Sequence, residues 1–214
     1  MSKEFREHLE RASRIVSKWP KWQQNILGGV CMKKRQVKIH IGAGNRDFGE
    51  GWYNIDGANF PHIHSHDITK LDFEDDSVDL IYASHVLPYF DREEVVPVLK
   101  EWKRVLKPGG VLRLAVTNFQ VIAGLYSNGK YPLKNFLGPM FGKWKIGKKY
   151  VYHKTTYDCA DLMELLSSVG MKSIRRWDWR EVDHGIFDDH SQAYLPHMDK
   201  ENGVLISLNI ECQK

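Results

Sequence analysis

Apolar residues in the first 36 positions recur in steps of four and three. Phe5, Leu9, Ala12, Val16 and Trp19 fall on one stripe, the pattern of a helix with a single buried face. Pro20 ends that helix, a short Trp22/Ile26/Leu27 segment follows, and Gly28-Gly29 stops it. Residues 1–36 are therefore predicted to be a helical extension packed on the domain; a flap or partner-binding helix is the alternative use. From Val37 to Asn118 the period changes. Val37–Ile41, Tyr53–Ile55, His62–His66, Val78–Ala83 and Val111–Val116 read as strands. Val95, Val98, Leu99, Trp102 and Leu106 mark a helix face, with Asp91 and Glu94 placed as a capping box and Pro97 expected to kink or restart it. Lys107-Pro-Gly-Gly110 reads as a sharp break. Strands alternating with helices predict a parallel sheet with crossovers, a doubly wound α/β domain.

Residues 119–157 lose this rhythm and are too long for a plain connection, so they are expected to form a lid or substrate insertion. Beyond them, Asp158–Val169 reads as a helix capped by Gly170. Met171–Trp179 and Val204–Cys212 read as two last strands able to pair antiparallel.

Composition narrows the class without choosing a function. The 214 residues are 42% apolar and 27% charged, an ordinary globular balance that argues against disorder. Lys+Arg 31 against Asp+Glu 27 gives a net +4, too weak on its own to require a nucleic-acid partner. Cys31, Cys159 and Cys212 are far apart and form no CxxC, which excludes a disulfide framework and a cysteine zinc cage and fits a reducing compartment. Apolar runs fall short of a membrane span, and Glu4, Glu7 and Glu10 interrupt any signal-peptide core. A cytoplasmic protein is expected.

The stretch that carries chemistry is Ile39-His-Ile-Gly-Ala-Gly-Asn-Arg-Asp47. A strand running into Gly42-x-Gly44 lets the backbone turn tightly and approach a ligand. Asp56, closing the next strand, can accept hydrogen bonds from both hydroxyls of a ribose. A dinucleotide fingerprint would need a third glycine at Asp47 and an acid roughly 20 residues on, whereas Asp56 lies 12 after Gly44. Asp47, Glu50 and Asp56 would repel phosphates and suit a cationic ligand. Gly142-x-x-x-x-Gly147-Lys148 comes near a phosphate loop but continues with Lys149 where a Ser or Thr is required. A nucleoside bearing a sulfonium, S-adenosylmethionine (SAM), is the remaining reading.

The run His40-Ile-Gly-Ala-Gly44, Gly51-Trp-Tyr-Asn-Ile-Asp56, Asp67-Ile-Thr69, Phe73 through Leu87 and Arg104-Val-Leu-Lys-Pro-Gly-Gly110 resembles the class I SAM-dependent methyltransferases. Within them it resembles the small type-11-like group often associated with cell-envelope polysaccharide synthesis. The likeness covers about residues 37–118 strongly, and Tyr157-Asp158 with the elements after it more loosely. It implies a Rossmann-like class I methyltransferase fold over 37–214: a seven-stranded, mostly parallel sheet with the last strand antiparallel and helices on both faces. It further implies that Gly42 and Gly44 lie under the methionine part of SAM, that the adjoining Asn45 also binds the cofactor and that Asp56 holds the ribose. Asp67 and Ile68 would meet the adenine, and Ala83 and Ser84 would line the site beside the methyl group. Three positions depart from the family pattern: His40 replaces an acid, Arg46 a glycine and Pro88 an acid.

Methyl transfer requires a general base only when the acceptor arrives protonated. His85 follows the fourth strand at the edge where open α/β sheets bind ligands and is the first candidate base; His153 is the second. Each also has a plain structural use, His85 shaping the cofactor pocket and His153 on a solvated lid. His184, Asp188, Asp189 and His190 lack fixed metal-ligand spacing, so no metal is expected and a solvated acidic loop is predicted there. No acidic residue falls between Glu101 and Asp158. Lys130, Lys134, Lys143, Lys145, Lys148, Lys149 and Lys154 are interleaved there with nine aromatic rings from Phe119 to Tyr157. Such a segment suits an anionic small-molecule acceptor, such as a nucleotide-linked sugar or phosphorylated metabolite. RNA binding, or a surface over a small satellite core, would use the same residues. The expected function is SAM-dependent methyl transfer to a small anionic acceptor; the alternatives are an RNA or protein methyltransferase, or a SAM-binding non-catalytic subunit.

Overall fold

The computed structural model of the protein describes residues 36–214, and before them Glu7, Glu10, Arg11, Arg14, Ile15, Ser17 and Lys18. The stripe from Phe5 to Trp19 lies outside the described residues. The chain divides into two compact units, Met1–Arg35 and Gln36–Lys214; the second is described here.

The first three strands end where Gly42, Asp56 and the Asp67 turn interrupt short extended runs. β1 (Lys38–Ile41), β2 (Trp52–Ile55), β3 (Ile63–Ser65), β4 (Val78–Ser84) and β5 (Leu106–Thr117) come in that order, followed later by β8 (Lys172–Arg176) and β11 (Ser207–Gln213). The seven form one sheet in the order β3-β2-β1-β4-β5-β11-β8. The first five pair in parallel, and β11 runs antiparallel to both β5 and β8. The last strand in sequence is thus the reversed one, inserted beside β5, while β3 and β8 form the rims.

Alternation divides the sheet into two unlike faces. Ile39, Ile41, Ile81, Ala83, Leu112, Leu114, Leu208 and Ile210 are buried against Val98, Leu99 and Trp102 of helix α1 (Val95–Val105) and Leu162 and Leu166 of a second helix (Cys159–Ser168). The intervening positions His40, Tyr82, Arg113, Ala115, Asn209 and Glu211 face the other way. They are covered by Phe48, Trp177 and the short 3-10 helices Trp179–Glu181, Asp183–Ile186 and His190–Gln192.

Asp91 and Glu94 bond each other's backbone N–H at 2.8 and 3.0 Å, the reciprocal pattern of a capping box. Pro97 does not kink the helix. It is the third residue of α1, where a missing N–H is one that the helix start leaves unpaired. The expected break at Lys107–Gly110 appears inside β5: between Leu106, paired with Val78, and Val111, paired with Leu80, these four residues fall out of register. Gly110 belongs there because a Cβ would sit 2.9 Å from the Lys107 carbonyl oxygen and 3.0 Å from that of Val78.

Residues 119–157 form α2 (Phe119–Ser127), α3 (Lys134–Phe141) and a hairpin of β6 (Lys143–Ile146) and β7 (Lys149–Tyr152), leaving the Cys159–Ser168 helix as α4. Ile122 of α2 and Phe136 of α3 are buried with Leu195 and Ile206 in a satellite core.

Candidate active site

Chain order and sheet order part company between β1 and β4. The chain leaves β1 toward β2 and β3, then crosses back to begin β4 on the other side of β1. Such a switch point opens a crevice at the carboxyl ends of the two strands. Gly42 follows β1 and His85 follows β4. Their ends meet closely: a Cβ on Gly42 would fall 2.2 Å from a Val86 methyl carbon, and Gly42 has φ +72°. Only glycine satisfies both demands.

The glycine turn is anchored to the end of β2. Gly42 N–H donates to the Ile55 carbonyl at 2.8 Å, and Gly44 N–H donates to Asp56 Oδ2 at 2.9 Å. Asp56 Oδ1 accepts from Ala58 N–H at 2.6 Å. One carboxylate therefore holds two backbone segments while each oxygen keeps a further lone pair for a ligand hydroxyl. Asp67 behaves differently: its Oδ1 gathers the Thr69 N–H, the Thr69 hydroxyl and the Lys70 N–H, which closes the turn after β3 and lowers its pKa. Ile68 packs on the main core, and its carbonyl accepts from the Trp102 indole at 2.8 Å. Ala83 and Ser84 end β4, and Asn45 is exposed beside the turn.

His85 adopts φ +55°, an uncommon backbone state for a residue with a side chain. Its Nε2 is buried with no hydrogen-bond partner among the described residues. Burial, with His190 and His153 nearby, holds its pKa well below the ordinary histidine value. His153 is half-buried, with its ring 4.7 Å from that of Tyr89 and its Nδ1 3.3 Å from the Met140 carbonyl oxygen. Burial and then the Asp56 carboxylate raise the pKa of Tyr89, so this phenol belongs to the same crevice.

The hairpin lies over this floor. Cross-strand pairing puts Trp144 opposite Val151 and Ile146 opposite Lys149, on one face. On that face a Cβ at Gly44 would lie 3.6 Å from the Trp144 ring, and one at Gly57 3.3 Å from the Ile146 methyl carbon. The base of the hairpin is fastened to the end of β4's extension: Lys154 N–H donates to the Pro88 carbonyl at 2.7 Å, and Lys154 Nζ pairs with Glu94.

Residues 32–114 match the model of a family described as a methyltransferase domain. The match spans the glycine turn, Asp56 and β4, the elements that build the crevice. Over these residues the chain is similar to a methyltransferase domain, and SAM-dependent methyl transfer is the activity this supports. A methyltransferase structure from Archaeoglobus fulgidus shares the fold at TM-score 0.51 and 12% identity, over 91% of this chain and 92% of that one. One from Methanosarcina mazei aligns at TM-score 0.49 and 18% identity, over 88% and 96%. No curated protein matches the chain. The fold is the expected Rossmann-like class I arrangement, and SAM is the cofactor.

The methyltransferase brings Gly42, Gly44, Asn45, Asp56, Ala83, Ser84 and His85 to one sheet edge, and Asp67 and Ile68 to the turn after β3. Several residues of the crevice were missed from sequence: Tyr89, Trp144, Ile146 and His62, whose Nε2 lies 3.0 Å from the Gly44 carbonyl oxygen. The alternation Lys-Trp-Lys-Ile then Lys-Tyr-Val-Tyr around Gly147-Lys148 is a hairpin signal that marks two of them.

His40 and the 184–190 loop answer to a different logic. His40 stacks on Phe48 at 4.0 Å, within a cluster that includes Trp52, Tyr82 and His184. The loop is the solvated acidic segment expected only in part: Asp188 and His190 are exposed, whereas His184 and Asp189 are 3% exposed. Asp189 accepts from the Tyr82 hydroxyl at 2.5 Å and Ser191 N–H, and His184 Nε2 lies 3.1 Å from Arg113. Among the described residues no group of three metal-ligating side chains converges. Burial, then His184 and Arg46, push His40 down to about 3; burial, then Arg113 and Lys38, push His184 down to about 3. Below the ordinary value of 6.5 the unfolded chain binds protons that these two rings refuse, so stability is complete above it and falls with acidification. Urea unfolding is expected to lose about 2 kcal/mol per histidine between neutrality and about pH 5. A His184→Gln variant should show a visibly shallower slope; equal slopes would contradict the assignment.

Proposed function

We propose that the methyltransferase acts on a small anionic acceptor, of the class of nucleotide-linked sugars or other phosphorylated metabolites. The observation that carries the cofactor side is Asp56, which closes β2, holds Gly44 N–H and retains acceptor capacity for a ribose. Gly42 and Gly44, both at positive φ, leave room for the methionine part with Asn45 at its side. Asp67 and Ile68 serve the adenine, and Ala83 and Ser84 the region beside the methyl group. Bound SAM supplies a methyl carbon already activated by its sulfonium. The chain contributes alignment and exclusion of water, for which Trp144 and Ile146 over the glycines are well placed. His85 Nε2 takes the proton of a hydroxyl or ammonium acceptor, and His153 is the second candidate for that role.

The anionic character of the acceptor is supported by the absence of any acid from 102 to 157 and by Lys149, on the same hairpin face as Trp144 and Ile146. Incubating the protein and methyl-labelled SAM with fractionated cell metabolites should yield a product heavier by one methyl in the anionic fraction. Lys149→Glu should raise the acceptor KM about tenfold with little change in SAM affinity. Labelled product confined to RNA, protein or neutral metabolites would defeat this reading.

A further inference from the structure

We propose that the 119–152 segment docks the protein on a membrane surface bearing anionic phospholipid headgroups. This goes beyond the methyl-transfer reading and does not depend on the acceptor's identity.

Eight of the eleven large hydrophobic side chains exposed among the described residues fall between Phe119 and Tyr152. They are ordered rather than scattered. Leu133, Leu137 and Phe141 stand four apart, so they share one face of α3. Leu133 and Phe141 are each 56% exposed, while Phe136, about 100° around the helix from Leu137, is 2% exposed in the satellite core. The satellite core is filled from α3 by Phe136, and the outer stripe leaves about half of each side chain in solvent.

The hairpin that follows α3 exposes a second such face. Its cleft side carries Trp144 and Ile146, so its outer side carries Lys143, Lys145, Tyr150 and Tyr152, with Lys143 Nζ 4.3 Å above the Tyr150 ring. His153 N–H donates to the Phe141 carbonyl at 2.8 Å, which ties the hairpin's base to the end of α3. Lysine is the only cation type here, no arginine falling between Arg113 and Arg175. Lys154, just beyond the segment, pairs with Glu94; the six lysines within it form no salt bridge among the described residues.

An aliphatic stripe bordered by lysines and tyrosines is the chemistry of the bilayer interface. Leucine and phenylalanine enter the acyl boundary, tyrosine sits at headgroup level and lysine reaches phosphate along its flexible stem. Single-stranded RNA suits the face less well, because Leu133 and Leu137 offer a base no ring to stack on. No helix among the described residues is long and apolar enough to cross a membrane, so the association is peripheral.

The test is sedimentation of the full chain with phosphatidylcholine vesicles, with and without phosphatidylglycerol. The protein should pellet with the anionic vesicles, be released by high salt and stay in solution with phosphatidylcholine alone. Leu137→Gln, which removes apolar surface without adding charge, should weaken vesicle binding about tenfold or more, and Lys145→Gln by several fold. Both variants should keep wild-type SAM affinity by calorimetry and an unchanged melting temperature, which separates this result from failure of the cofactor site. The proposal is overturned if anionic vesicles do not retain the protein, or if Leu137→Gln binds them as well as wild type. Retention of single-stranded RNA with vesicles ignored, or a dimer that Leu137→Gln dissociates while vesicles are ignored, would assign the face to another partner.

Discussion

Asp56→Ala is expected to weaken SAM binding by a factor of about 100 to 10,000, read by calorimetry. Two charge-assisted hydrogen bonds to ribose hydroxyls are each worth about 1.5–3 kcal/mol, and the same substitution strips Gly44 and Ala58 of their acceptor. The two losses can be separated. Asp56→Asn retains a side-chain oxygen able to accept from Gly44 N–H and should preserve the melting temperature better than alanine, yet still lose much of the ribose interaction. Affinity unchanged in both variants would remove Asp56 from the cofactor site.

The second large effect concerns turnover. His85→Gln should lower kcat by about 100- to 1,000-fold, the usual worth of a positioned base, while SAM affinity stays within about threefold. A neutral imidazole is available at ordinary pH because burial keeps His85 from protonating. Since φ at this residue is +55°, asparagine, which tolerates that backbone state well, provides a second variant whose fold is protected. Wild-type kcat in both would leave His85 a pocket-shaping residue only, and His153→Gln would then carry the test. An acceptor that is already deprotonated would make both histidines dispensable, which the identified product would reveal.

Much of this arrangement is legible in the sequence where local physics decides it. Of the five leading strands, the first three announce themselves by short runs closed by Gly42, Asp56 and Asp67 and the next two by longer apolar runs, and α1 by its apolar spacing and the Asp91/Glu94 pair. The position of Asp56 at the end of β2 follows from the same pattern. What local pattern cannot supply is the distant partner. Asp189 reads as a solvent-facing acid until Tyr82, 107 positions away, places a hydroxyl beside it. His184 reads as loop chemistry until Arg113 and the ring of Phe48 close around it. His40 departs from the family's acid because its side chain faces an aromatic cluster, where an ionised group would lose its hydration. Trp144 needed only the hairpin to be seen, since alternation then assigns it to the face above Gly44.

The rims of the sheet also govern how copies of the protein can meet. At one side β3 offers only three residues for pairing, and at the other β8 presents Lys172, Arg175 and Arg176. A stray strand seeking to extend the ladder would find too short a template or a row of like charges, so neither margin invites fibrillar growth.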